Sequence, residues 1–501
     1  MSVLLCLSQL VCVQVACGSA LDTQLVQAEP TSADIGFLTR QVAKKEVELL
    51  RLNTNYRMQS TRVSKWKVWR TFFWNMGLFA CTNAGIDHVA YARWKTWQRP
   101  ATARKDFLIS GPILLLTGHA IAVGGVLVES AFDLLDACKT RRRGFDSKAM
   151  QRRVAQLKLE IEKAIALRDA AIANHTELAE QDRQVLTAEG DVLRDVKDAA
   201  LVEYSRFNIR ASKWRAKRDT SNLMVFSQAS TGGFIGSLFS LLAASNRKPK
   251  LAGTAGIGFT TSGACVVMIP LMTKLTAFLA GKDAAHRTAG ILDGVNPKAP
   301  AAFDADREHL ASLLASTSAN GYVLKTLADR ATVYQLENDV LDAQTAILAG
   351  ESRQSNRDLM ERTLVLGAIG GTKMGYGIQL CNAGFGFRKH PPLPAITVPL
   401  KFGGVSRKVP LPKPKGSNEL FSKRVAQAAT TFVPGPALGL VDTLQNRVRS
   451  ELSAYELRRK GGSPGQALKQ RLDSLDKMEE ILDRQLKAGS PIAESRAGEL
   501  R

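Results

Sequence analysis

Aromatic residues make up only 6% of this 501-residue chain, and it holds 18 prolines. Strands draw on aromatic and β-branched side chains, and proline breaks helices, so scarcity of both favours a helical fold over a sheet. Acid is short too: 46 Asp and Glu stand against 68 Lys and Arg, a formal charge of +22. That surplus suits anionic partners, either nucleic acid or acidic lipid headgroups. Zinc-finger spacings, RNA-binding aromatic motifs and a DNA-reading helix are all missing, and the basic residues crowd beside apolar segments, so anionic headgroups are expected and nucleic acid is not. The seven cysteines include no CxxC pair. Cys6, Cys12 and Cys17 lie in an N-terminal apolar leader, Cys81, Cys265 and Cys381 inside apolar stretches, and Cys138 just beyond another. That distribution argues against a disulfide framework or a metal motif and for small apolar fillers. HExxH and GxSxG are absent; "GTAGIG" (253–258) sits in an apolar stretch with no preceding strand, and "GGTKMG" lacks phosphate-loop spacing. The sequence therefore predicts no catalytic constellation, no cofactor and no metal site.

What the sequence does have is heptad spacing and apolar stretches in alternation. Residues 1–20 resemble a cleaved export signal, with an apolar core followed by Gly18, Ser19 and Ala20 but no basic n-region. Four segments then place apolar residues three and four apart, lining one seam of a helix. The first runs Ile35, Leu38, Val42, Leu49, Leu52, Tyr56. The second runs Met150, Val154, Leu157, Ile161, Ala164, then meets Arg168, His175, Asp182 and Glu189 and decays. The third, Leu310 to Leu348, is the most regular and carries Asn320 and Asn338; the fourth is Leu468, Leu472, Leu475, Leu482, Leu486. Seams this narrow want partner helices, either from a second copy of the chain or from one intramolecular bundle.

Between the seams lie glycine-rich apolar stretches near the roughly 20 residues that cross a bilayer: 71–92, 107–130, 222–244, 251–280 and 363–387, with a weaker sixth, 425–444, broken by Pro434 and Pro436. They pair as three hairpins. The first two are preceded by a repeat: "RVSKWKVWR" (62–70) and "RASKWRAKR" (210–218) lie 148 residues apart. Tryptophan suits headgroup depth and Lys and Arg snorkel to phosphates, so Arg62, Lys65, Trp66 and Arg70, with Arg210, Lys213, Trp214 and Arg218, are expected to anchor long helices where they meet the membrane. The expected fold is all-α: an integral membrane protein with three helical hairpins of transmembrane spans alternating with long heptad-patterned, coiled-coil-like helices. Its segments are 21–70 (helix and basic flank), 71–135 (first hairpin), 136–221 (long helical segment), 222–281 (second hairpin), 282–362 (long helical segment), 363–444 (third hairpin with a Pro- and Lys-rich connection) and 445–501 (C-terminal helix and tail).

Two rules disagree on orientation. A translocated leader puts the long helices outside, whereas the Lys and Arg flanking the first two hairpins would hold them in the cytoplasm. Following the leader gives a bacterial-type cell membrane with the long helices outside. Ionisable residues inside spans are functional candidates by default, which singles out Asp87, His119 and Lys373. Asp87 with His119 is the pair expected to suit a proton relay. Gly367, Gly371 and Gly375 recur every fourth residue and predict a face where another helix approaches closely. The function expected first is a structural or scaffolding role at the membrane face, through helix seams that bind partner helices or a second copy. A channel or transporter whose glycine-rich spans line a path is the alternative.

Overall fold

Among the described residues, the first, second and fourth heptad seams pack into one core within the chain. The computed structural model describes residues 32–61, 65–99, 105–176, 178–316, 363–387, 397–402, 405–410, 417–459 and 464–488. In chain order the helices are α1 (Ser32–Thr61), α2 (Lys65–Gln98), α3 (Lys105–Arg142), α4 (Ser147–Asn174), α5 (Glu180–Ser227), α6 (Ile235–Ser245), α7 (Pro249–Ala289) and α8 (Ala299–Ser316), then α9 (363–385), α10 (Ser417–Phe432), α11 (Pro434–Arg459) and α12 (Pro464–Ala488). Val42, Leu49 and Tyr56 of α1, Val154, Leu157 and Ile161 of α4, and Leu475 and Leu482 of α12 are buried in one core. Val192 and Leu201 of α5 and Leu310 of α8 join it. At about 1.5–3 kcal/mol per fully buried aliphatic side chain, this shared core is what holds the five helices together. From Thr317 onward the third seam, with Asn320 and Asn338, lies outside the described residues, as do residues 1–20.

The second seam does not run along one helix. The chain turns between Asn174 and Glu180, and α5 returns antiparallel to α4. What reads in sequence as a decaying seam is a buried ion pair: Arg168 of α4 reaches Glu189 of α5 at 3.0 Å, both side chains fully excluded from solvent. Arg168 also donates to the Leu186 carbonyl at 2.7 Å and the Thr39 hydroxyl at 2.8 Å. A buried charge persists only when paired and hydrogen-bonded, and this one has both.

Helix α5 is 48 residues long, about 72 Å at the α-helical rise. It leaves the bundle and runs into a second unit built from α2, α3, α6, α7, α9 and α10 around Ile86, Leu115, Phe259, Tyr376, Val425 and Phe432. Helices α2 and α3 form an antiparallel hairpin in which Gly85 and Gly111 let the backbones meet: a Cβ on either would lie 2.8 Å from the other's carbonyl oxygen. Three helical stretches, Asp106–Asn174, Glu180–Ser245 and Pro249–Ala289, contain segments long and apolar enough to cross a membrane. The sixth apolar stretch is two helices rather than one, because Pro434 has no N–H to continue α10 and instead opens α11. Helix α10 packs on α2, with Phe421, Val425, Ala428 and Phe432 buried. Among the described residues the helical expectation fails in one place. The Pro- and Lys-rich connection holds an antiparallel hairpin, β1 (Thr397–Phe402) against β2 (Val405–Pro410), in register from Thr397↔Pro410 to Phe402↔Val405. The alternating "TVPLKF" and "VSRKVP" around Gly403–Gly404 fit a two-residue hairpin, a signal the helical reading passed over.

Candidate functional site

Between α5 and α6 the helix widens into a π-turn, Gln228–Phe234, and the second unit's most polar interior contacts gather there. Such π-segments inside α-helices often mark functional sites. Two features of "QASTGGF" shape it. Gly232 admits α7, since a Cβ there would lie 2.6 Å from the Gly258 carbonyl oxygen. Gly233 admits the His119 ring of α3, which occupies the space any side chain at 233 would need. The hydroxyl of Ser262, on α7, donates to the Gln228 carbonyl at 2.7 Å and reaches its side-chain oxygen at 3.1 Å.

His119 and Lys373 lie 254 positions apart in sequence, and the fold brings them together. The Lys373 amine, on α9, sits 2.9 Å from His119 Nε2 and donates to Gln228 Oε1 at 3.1 Å. His119 Nδ1 lies 2.7 Å from the Leu115 carbonyl, which can only accept. That contact assigns the ring proton to Nδ1 and leaves the Nε2 lone pair to take a Lys373 N–H. Ser237 Oγ donates to the Gly233 carbonyl at 2.7 Å and closes the far side of the ring, 3.3 Å from Nδ1. Lys373 is only 5% exposed, and among the described residues no carboxylate pairs with it. Phe259 (6.2 Å from the His119 ring), Tyr376 (5.0 Å from Phe259) and Phe432 (stacked on Tyr376 at 5.3 Å) form an aromatic column on one side. The arrangement is a lysine amine held by an imidazole and an amide oxygen. It can bind one proton on two adjacent nitrogens, or attract an anion.

The Asp87–His119 pair singled out from sequence as a candidate relay is not made. Asp87 stands on the exposed side of α2, and the ring contacts of His119 are Leu115, Ser237 and Lys373. The neighbouring His88 bonds Ser110 across the hairpin at 3.1 Å. The glycine face is likewise on the wrong side. Among the described residues, Gly367 and Gly371 have nothing within 4 Å of a built Cβ, and Gly375 meets Thr431 only at 3.7 Å. The close contact uses Gly370, Gly377 and Gly384 against Gly263, Gly256 and Gly253 of an antiparallel α7. Seven-residue spacing keeps these three on one side of α9, turned about 120° from the predicted face at roughly 100° per residue.

Among the anchors, Arg70 and Arg218, at matching positions of the repeat, both reach acids of α3. Arg70 donates to Glu129 at 2.8 and 3.3 Å, and Arg218 lies 3.7 Å from Asp133. Trp66 and Trp214 are exposed, Lys213 lies against Gly281 of α7, and Arg210 is partly buried on α5. Arg62 and the Lys65 side chain fall outside the described residues. Gln228 and Ser262 were not singled out by sequence. A glutamine inside an apolar stretch was signal enough for the first, whereas a serine in a span is too common to flag. Compared with protein-family models, curated proteins and solved structures, the chain matches none.

Proposed function

We propose that this is a multi-pass membrane protein whose bilayer unit binds and releases a proton at the Lys373–His119 pair within a channel or transport cycle. Support for the membrane comes first from where large apolar side chains face outward. Ile113, Leu127 and Phe132 on α3 and Leu271, Leu275 and Phe278 on α7 are exposed around a core that is already filled. Contiguous apolar surface of this kind marks an interaction or membrane face. Two aromatic girdles bracket it. Trp66 and Trp69 begin α2 and Trp94 and Trp97 end it, with Arg447 over Trp69 at 4.0 Å and Lys423 over Trp97 at 5.1 Å. Trp69 and Trp94 are 25 residues apart, about 38 Å of helix, close to the roughly 40–45 Å between headgroup regions. In this reading the long helices lie outside a bacterial-type cell membrane. Cys138, exposed on the last turn of α3, then labels with an impermeant maleimide in intact cells; protection until lysis reverses the orientation.

The observation that carries the proton reading is the lysine amine buried with no carboxylate partner among the described residues. An uncompensated ammonium is costly in a bilayer interior, and this one lies beside a nitrogen lone pair. It can shed its charge by losing a proton or pass the proton to the ring, and either step changes the hydrogen bonds that tie α9, α3 and the π-turn together. The test is reconstitution into liposomes that trap a pH-sensitive dye. The wild type is expected to dissipate an imposed pH gradient, while Lys373→Met and His119→Ala do not. Equal flux through both variants, or none through the wild type, overturns it. A second reading, scaffolding through the helical bundle, draws on the shared core of α1, α4, α5, α8 and α12. It predicts that His119→Ala is silent and that Leu475→Asp, which disrupts the bundle, abolishes function.

A further inference from the structure

A cavity of about 820 Å³ lies where the bundle meets the second unit, walled by α2, α3, α5 and α11. We propose that it binds one zwitterionic phospholipid, headgroup toward the bundle and acyl chains toward Leu78 and Ala122. This rests on the membrane reading above but not on the proton one. The volume falls within the range of roughly 300–1,000 Å³ typical of small-molecule sites.

Depth and polarity run together along the walls. On α2 the lining extends from Lys67, beside the Trp69 girdle, to Leu78, about 16 Å inward. The deep end is apolar, formed by Leu78, Ala122, Val126, Val225 and Leu366, and the shallow end is charged. Five basic and five acidic side chains line it, so the wall carries no net charge to select an anionic lipid. Several of these charges are already engaged with one another: Lys67 with Asp133, and Arg218 with Asp133 at 3.7 Å. Of the rest, Arg215 and the acids Asp136, Asp146 and Asp442 have no ion pair among the described residues. The Arg215 guanidinium donates to the Tyr56 hydroxyl at 3.0 Å and has no carboxylate among the described residues. Asp442, on α11, is half-buried and likewise has no cationic partner among them. A phosphate on Arg215 and an ammonium near Asp442 answer both. The buried Trp74 Nε1, between the two ends, and Arg447 Nε, beside Trp69, have no acceptor among the described residues. Trp74 is five residues deeper than Trp69, about 7 Å, where a phospholipid carries its ester carbonyls. Gly125 of α3 lies under the Trp74 ring, 2.7 Å from its Cγ at a built Cβ, so the indole is held as part of the wall.

The test is native mass spectrometry of the detergent-purified full chain, delipidated and then offered phosphatidylethanolamine, phosphatidylglycerol or diacylglycerol with matched acyl chains. One phosphatidylethanolamine per chain is expected, with phosphatidylglycerol about tenfold weaker and diacylglycerol not retained. Val126→Trp, which fills the deep end, should lose the lipid. Arg215→Gln with Asp442→Asn should abolish the preference among headgroups. Melting temperature, measured alongside, identifies any variant that fails to fold, and the two variants perturb opposite ends of the cavity. Equal or tighter phosphatidylglycerol binding, no retained lipid, or full occupancy in Val126→Trp overturns the proposal. Alkaline carbonate extraction of the membranes from which the chain is purified separates the failures. A chain released by carbonate overturns the membrane reading itself, whereas one that stays in the membrane but retains no lipid overturns this inference alone.

Discussion

Placing alanine at Gly377 and, separately, at Gly371 probes two sides of one helix. In a helix interior glycine is less favourable than alanine by about 0.8–1.0 kcal/mol, so with no packing consequence either change stabilises. Gly371 meets that condition, because a Cβ there has nothing within 4 Å among the described residues. Gly377 does not. Its Cβ would stand 2.6 Å from the Gly256 carbonyl oxygen and nearer still to the Thr260 backbone nitrogen, about 0.8 Å inside ordinary contact distance. Those atoms belong to the α7 backbone and cannot rotate away, so α7 and α9 must part. A gap of that size forfeits about a quarter to half of each dispersion contact along the seam, and overpacking typically costs about 1–3 kcal/mol. Gly377→Ala is therefore expected to lower stability and Gly371→Ala to leave it unchanged or raise it by up to about 1 kcal/mol. Thermal unfolding of the two variants in the same detergent reads the difference, and Gly371→Leu should also be tolerated. Destabilisation at Gly371 equal to that at Gly377 would refute the assignment of the α7 contact to the Gly370–Gly377–Gly384 side.

Three further outcomes follow from buried polar groups. Glu189→Ala leaves Arg168 fully buried with only the longer contact to Asp169, at 3.5 Å, as a carboxylate partner, and denaturant unfolding should show a loss of up to about 3–5 kcal/mol. The double change Arg168→Met with Glu189→Leu should recover most of it, and a double variant as unstable as the single would refute the account. Burial, and then the neighbouring Asp306 carboxyl, push the Asp195 carboxyl in the bundle up to about 7. Below pH about 4 it is protonated in both folded and unfolded chains, and between about 4 and 7 only the folded chain holds the proton. Stability should therefore fall as pH rises through that window; Asp195→Asn should flatten the profile of melting temperature between pH 5 and 8, and an unchanged slope would refute it. Gly233→Ala should displace the His119 ring from Lys373 and reproduce the proton-flux loss of His119→Ala in a chain that still folds; wild-type flux in that variant would refute the packing of His119 on the π-turn.

Much of this molecule was legible from local pattern. Apolar residues three and four apart mark α1, α4 and α12 because helix periodicity is a property of neighbouring residues, and apolar length marks α3 and α7 for the same reason. His119 and Lys373 stood out separately, since an ionisable side chain in an apolar stretch is conspicuous wherever it ends up. Their meeting was not legible: they lie 254 positions apart and touch only because α3, α9 and the π-turn converge. The glycines show the same limit. Helix α9 carries two glycine stripes about 120° apart, and the one that packs is decided by where the Gly253–Gly256–Gly263 side of α7 lies. Arg168 and Glu189 interrupted a pattern in sequence and became a buried pair only when the chain turned at 175–179. The sequence by itself determined most of the helical segments, the β1–β2 hairpin and the break at Pro434 apart, and which residues within them are out of place. Which faces meet, and so what each misplaced residue pairs with, only the tertiary structure decided, because that choice depends on contacts between segments that no local period encodes.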